Sequence, residues 1–195
     1  MKRPWIIAVL VLVSGVLIIA FLNAKPEPIQ NTPINIPKLR DIVTPGSNTV
    51  RGVQVLDDSY IPTLVKPTSL VHTTTERLMK QSCEFGTQNC KLLAIYDFVR
   101  LNFEFSERTP ESPYIRTPGE ILLLARGDEL ELALLLASMQ RSAGFRNEII
   151  RTSSGSRTWV RTFIGNESIM IDVRNQGSPI MASRVSLRGD ELVYN

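Results

Sequence analysis

The sequence predicts an α+β domain held behind an N-terminal transmembrane helix. Three observations predict it. Residues Trp5 to Leu22 form an eighteen-residue run without a charge. A proline-rich stretch then separates that run from the rest of the chain. Beyond it, apolar residues first recur at helical spacing and later alternate, which implies helices packed on an antiparallel sheet.

The chain has 195 residues, enough for one domain with attachments. Its 22 bases exceed its 19 acids, but Lys2 and Arg3 precede the apolar run. The remainder is nearly neutral, with 20 bases against 19 acids. That balance removes the electrostatic case for a nucleic-acid partner. One histidine, His72, excludes a multi-histidine metal site. Neither a metal nor another cofactor is expected.

Eighteen helical residues rise about 27 Å, close to the thickness of a bilayer core. No face of the run is polar, so a buried core helix fits it poorly. A cleavable signal wants a small residue where Leu22 stands. The run therefore reads as an uncleaved, single-pass anchor over 5–23, after a cytoplasmic stub over 1–4. Lys2 and Arg3 on its N-terminal side put the N-terminus in the cytoplasm and the rest outside the cell membrane.

Residues 24–67 hold seven of the twelve prolines. Their spacing predicts an extended, semi-rigid linker. Within it, Val50 to Leu56 has enough β-branched residues for a short strand docked on the following domain. That domain is expected over 68–195.

Thr73 to Gln81 is predicted as a helix with a threonine cap. Cys90 to Asn102 places Leu92, Ile95, Tyr96 and Val99 on one helical face. Phe103 to Phe105 reads as extended. Thr117-Pro118-Gly119-Glu120 combines a cap, a proline at the first position and a glutamate at the third, and predicts a helix to about Ala125. Asp128 to Glu131 is a second capping box. It opens a helix that ends near Gly144 and is apolar nearly all round, hence central. Residues 147–152, 157–164 and 168–173 read as strands, separated by turns at 153–156 and 165–167.

From about Cys90 to Asn175 the order of these segments resembles the transglutaminase-like branch of the papain-like superfamily. Tyr96-Asp97-Phe98-Val99-Arg100-Leu101-Asn102-Phe103 is similar to the family's YDYVRxNFxY helix. Gly127-Asp128-Glu129-Leu130-Glu131-Leu132-Ala133 is similar to its GDCxD-L-A motif. Leu135 through Gly144 resembles the following LLxxxxRxxG. Ser156 to Thr162 resembles a GHAWVEV strand, and Asp172 ends the next strand. The resemblance puts the family's nucleophilic Cys on Glu129, its His on Arg157 and its Asp on Asp172.

The resemblance therefore implies a transglutaminase-like fold without its usual chemistry. A thiolate and an imidazole are needed for acyl transfer, and Glu129 and Arg157 supply neither. Cys⁻/His⁺/Asp⁻ and Glu⁻/Arg⁺/Asp⁻ carry the same net charge. Arg157 is expected to bridge Glu129 and Asp172. The alternatives are that Glu129 simply opens an exposed helix, or that the alignment slips. Trp159 reads first as sheet packing and second as a wall of the cleft.

Other candidates lie outside this trio. Cys83 and Cys90 are the only cysteines and, on the predicted outer side, form a candidate disulfide; two unpaired thiols are the alternative. Asn166-Glu167-Ser168 is a glycosylation sequon on a predicted turn. Arg-Gly-Asp occurs at Arg126 to Asp128 and at Arg188 to Asp190, and the first is explained by the helix cap. Arg151, Arg157, Arg161 and Arg174 cluster on the sheet and read mainly as a solvated face, with an anionic partner as the alternative.

Taken together, the expected function is binding or scaffolding at the cell surface, with a protein, peptide or glycan ligand. Two alternatives stand beside it. One is a hydrolase that uses Glu129 or Asp172 on a peptide or glycan. The other is a structural subunit of a membrane complex.

Overall fold

A computed structural model describes residues 34–43, 53–54, 58–83, 86–107, 114–174 and 191–194. The expected membrane segment, 5–23, lies outside them. Among the described residues no helix is long and apolar enough to cross a membrane.

Six α-helices and eight strands are described. The helices are α1 (Leu39–Ile42), α2 (Ile61–Leu64), α3 (Ser69–Ser82), α4 (Gln88–Asn102), α5 (Pro118–Leu124) and α6 (Glu129–Ser142). The strands are β1 (Val53–Gln54), β2 (Glu104–Phe105), β3 (Tyr114–Ile115), β4 (Arg126–Gly127), β5 (Arg146–Thr152), β6 (Thr158–Ile164), β7 (Glu167–Ile171) and β8 (Glu191–Tyr194). Four of them form an antiparallel sheet in the order β7-β6-β5-β8. This is the α+β arrangement the sequence predicts.

Helix α6 is the centre of the domain. Every residue from Glu129 to Gln140 is buried, because α3, α4 and α5 pack on it from one side and β5 and β6 from the other. Its start is fixed locally. The Asp128 carboxylate accepts from the Glu131 N–H at 2.9 Å, and Glu131 Oε2 accepts from the Asp128 N–H at 3.0 Å. These bonds satisfy helix-end donors that would otherwise be orphaned. Glu131 also holds the chain entering α5, accepting from the Arg116 N–H and Nε, each at 2.9 Å. The Thr117 and Glu120 box opens α5 as predicted.

The sheet's inner face meets α6 through β5 and β6, where Ile149 and Val160 are buried. A polar seam crosses the same interface. Asn147 Nδ2 donates to the Ala137 carbonyl at 2.8 Å and to Gln140 Oε1 at 3.0 Å, and the Thr162 hydroxyl donates to Gln140 Oε1 at 2.8 Å. These bonds pin the register of α6 on the sheet, because buried polar groups are costly unless paired.

The proline-rich stretch differs from its prediction. Four residues between Pro37 and Pro45 suffice for α1, and Pro62 sits in the first turn of α2, where proline is tolerated. Ile42, Ile61 and Val65 are buried. The Leu39 N–H donates to Asn102 Oδ1 at 2.8 Å, and Arg77 Nη1 donates to the Ile42 carbonyl at 2.9 Å. Described residues well before 68 therefore pack with the domain, and the linker is not extended to 67. The short strand expected over 50–56 is present as β1, antiparallel to β3.

Two boundaries also move. Helix α3 starts at Ser69, not Thr73, because Thr68 supplies the cap, accepting from the Val71 N–H at 3.4 Å. Thr75 instead lies inside the helix and donates back to the Val71 carbonyl at 2.8 Å. The third strand stops at Ile171, so Asp172 lies just past its end. Cys83 and Cys90 form a disulfide, with Cα atoms 5.8 Å apart, joining the end of α3 to the first turn of α4.

Candidate functional site

Three elements converge at the N-terminus of α6. The Asp128 cap fixes the first turn, which carries Glu129. The start of β6 brings Arg157 and Thr158, and the turn after β7 brings Asp172 and Arg174. The three positions assigned from the resemblance are therefore together in space.

Glu129 is only 7% exposed, which excludes the reading of it as an exposed helix start. Its Oε1 accepts from the Thr158 N–H at 2.5 Å. Arg157 Nη2 donates to Asp172 Oδ2, while Arg157 Nε lies 3.7 Å from Glu129 Oε1. That distance allows ion pairing, and Nε has no aligned hydrogen-bond acceptor. Arg157 therefore reaches both carboxylates, Asp172 by a hydrogen bond and Glu129 only by the longer ion pair.

Arg174 is the partner that the trio omits. Its Nε lies 2.5 Å from Glu129 Oε2, although outside hydrogen-bond alignment. Its backbone N–H donates to Asp172 Oδ1 at 2.9 Å. Arg157 and Arg174 together offset Glu129 and Asp172, so the cluster is formally neutral and not −1. The sequence groups Arg174 with other arginines near the sheet. Its spacing two residues beyond Asp172 hints at a turn, but only the tertiary fold reveals Glu129 as its counter-ion.

The Glu129 carboxyl has its pKa raised above the usual value. Burial is the main cause, and the aspartate at 172 adds to it. The Thr158 N–H, Arg174 and Arg157 pull the other way and do not outweigh burial. Pairing with arginine alone predicts a lowered value, so the desolvation of the site decides the sign.

The helix α4 runs behind this cluster. Tyr96 is buried there, with its pKa raised chiefly by burial; Arg100 opposes the rise, and Asp97 and Asp172 add to it. Trp159 is half-buried on β6, opposite Ile150 in the sheet. The Arg157 guanidinium lies 5.4 Å from its ring centroid.

An open groove of about 370 Å³ lies beside the cluster. Neither Glu129, Arg157 nor Trp159 lines it, so it is displaced from the expected cleft. Phe103, Phe105 and Glu107 face it from the extended segment after α4, and Leu132 faces it from α6. Val173 and Arg174 close the side nearest Glu129.

Asn166 is exposed in the β6–β7 turn. Asp128 of the first Arg-Gly-Asp is 6% exposed and occupied as a helix cap. The second triplet lies outside the described residues. Arg161 pairs with Glu148 across β5 and β6, with its side chain 19% exposed; this arginine is therefore part of a paired sheet face, not a solvated one. Among the described residues no group of His, Cys, Asp and Glu is placed to hold a metal.

No family model matches the sequence, and no curated protein matches it. Three chains among solved structures match, among them two candidate proteases. A candidate protease from Parabacteroides distasonis ATCC 8503 is 14% identical with a TM-score of 0.47, over 65% of this chain and 31% of that one. A candidate cysteine protease from Cytophaga hutchinsonii is 18% identical with a TM-score of 0.45, over 72% of this chain and 54% of that one. The chain spans about a third of the first protein's length and about half of the second's.

Proposed function

We propose that this chain is a non-catalytic, transglutaminase-like binding module, anchored in the cell membrane by residues 5–23 and displayed on its outer side. One observation carries the reading. The position that the resemblance gives to a nucleophile holds a buried carboxylate, Glu129, engaged by the Thr158 N–H and flanked by two guanidiniums. Neither a thiol nor an imidazole stands there. Arginine keeps its proton at any physiological pH, so Arg157 cannot serve as a general base. The cluster instead ties α6, β6 and the turn after β7 into one rigid corner.

The anchoring part rests on the charge-free run and on Lys2 and Arg3 before it. The Cys83–Cys90 disulfide accords with an oxidising compartment.

A hydrolase that uses Glu129 as a general base is the second reading. The raised pKa of this carboxyl favours it. Against it stands the engagement of Oε1 by a backbone donor and the flanking of Oε2 by Arg174. The test is a turnover screen of the full chain in detergent against peptide, glutamine-amide and glycan substrates. No turnover above the buffer rate is expected. Turnover that Glu129→Gln abolishes overturns the proposal.

A further inference from the structure

We propose that the groove beside the cluster binds an apolar ligand carrying a single carboxylate, which Arg174 recognises. This rests on the reading of the chain as a binding module and names its ligand class.

The groove has the size of a small-molecule site, at about 370 Å³. Its lining follows from a period of two. Residues 103, 105 and 107 of the extended segment share one face, which brings Phe103 and Phe105 to the groove beside Glu107. Leu132 and Val173 add to its apolar wall. Phe105 is 38% exposed, unusually open for a large aromatic side chain at the edge of a cavity.

Arg174 gives this apolar wall its polar end. Its guanidinium lies 4.9 Å from the Phe105 ring centroid, a stacking distance that fixes its plane against the groove. Its Nε edge faces Glu129. No described residue accepts a hydrogen bond from Nη1 or Nη2. Those two nitrogens present the parallel donors that match the two oxygens of a carboxylate. Arg100 also lines the groove, but its Nε and Nη2 are both engaged by Asp97. Glu107 also lines the groove. Its charge works against any further negative charge on the ligand beyond the carboxylate that Arg174 holds.

Two sources carry this chemistry: a free alkyl acid and the C-terminus of an apolar peptide. Titration calorimetry of the full chain in detergent micelles separates them. The probes are hexanoate and N-acetyl-Leu-Phe, each beside its uncharged amide, with hexylammonium as the opposite charge. At least one acid is expected to bind about tenfold more tightly than its amide, the worth of a charge-assisted bidentate contact. The tighter acid identifies the source.

Arg174→Met is expected to reduce that preference to within about twofold while the amide still binds, because the apolar wall remains. Glu129→Gln keeps Arg174 and removes its competing anion, so acid binding is expected to strengthen. Equal binding of acid and amide, preference for hexylammonium, or no binding of any probe up to millimolar concentration overturns the proposal. If Arg174→Met does not fold, the Glu129→Gln titration decides, and unchanged acid affinity there counts as refutation. Cleavage of the peptide probe, followed in the same samples, reports separately on the non-catalytic reading. Cleavage sinks that reading without touching the carboxylate preference.

Discussion

Glu129 can be cut back in two ways that the structure distinguishes. Glu129→Ala removes both oxygens and leaves the Thr158 N–H without its acceptor in a buried corner. A lost hydrogen bond to a charged group costs about 1.5–3 kcal/mol. The freed guanidiniums add little, since the Arg157 and Arg174 side chains are 43% and 44% exposed and water can solvate them. The expected loss is thus about 2–3 kcal/mol. Glu129→Gln keeps an acceptor for Thr158, gives up the two ion pairs and spares the protein a buried charge. Its expected change is within about 1 kcal/mol of zero. Urea unfolding at pH 7, with the disulfide oxidised and the slope m compared between variants, measures both. Equal losses for the two variants would refute the reasoning, since they would show that the charge and not the acceptor matters. So would an alanine variant as stable as the parent.

The other predictions concern pH, the disulfide and the helix caps. Because the folded state raises the Glu129 pKa, it holds that proton more tightly than the unfolded chain. The associated stability is full below the unfolded value of 4.5 and is lost as pH rises through the folded value. Relative to the parent, Glu129→Gln should therefore gain as pH rises across that window; unfolding midpoints that move in parallel would contradict this. Reducing the Cys83–Cys90 bridge opens a short loop and should cost roughly 2.5 kcal/mol, read as a lower unfolding midpoint after reduction and alkylation. Asp128→Ala should cost about 1–2 kcal/mol, because it removes the acceptor of the Glu131 N–H. A midpoint unchanged within error would show that the cap is dispensable.

Helix starts were legible in the sequence wherever their chemistry is local. Both capping boxes lie within four consecutive residues, and both stand where they were expected. The start of α3 was not legible, because Thr73 to Thr75 offered three cap candidates and Thr68 lay further upstream. What separates them is burial, with Thr74 and Thr75 both 1% exposed inside the helix. Strand β8 is not legible in the sequence, because it is four residues long and its register is set by distant β5. The parallel pairing of β2 with β4 is likewise a tertiary event between two-residue segments.

The site shows the same division. Glu129, Arg157 and Asp172 could be assembled from the order of motifs. Arg174 could not, since its role depends on how the turn after β7 folds back over α6. Its omission left the cluster a charge short and hid the groove it closes. The sign of the Glu129 pKa was equally out of reach, because it follows from burial and not from the identity of its partners.

On the proposed reading the buried Glu129 carboxylate performs no reaction. The most direct test of that reading is the rate of peptide and glycan turnover by the full chain, followed from pH 4 to 9 beside Glu129→Gln. The account predicts a rate indistinguishable from buffer at every pH for both proteins. A rate that climbs as Glu129 loses its proton, and vanishes in the glutamine variant, would contradict it.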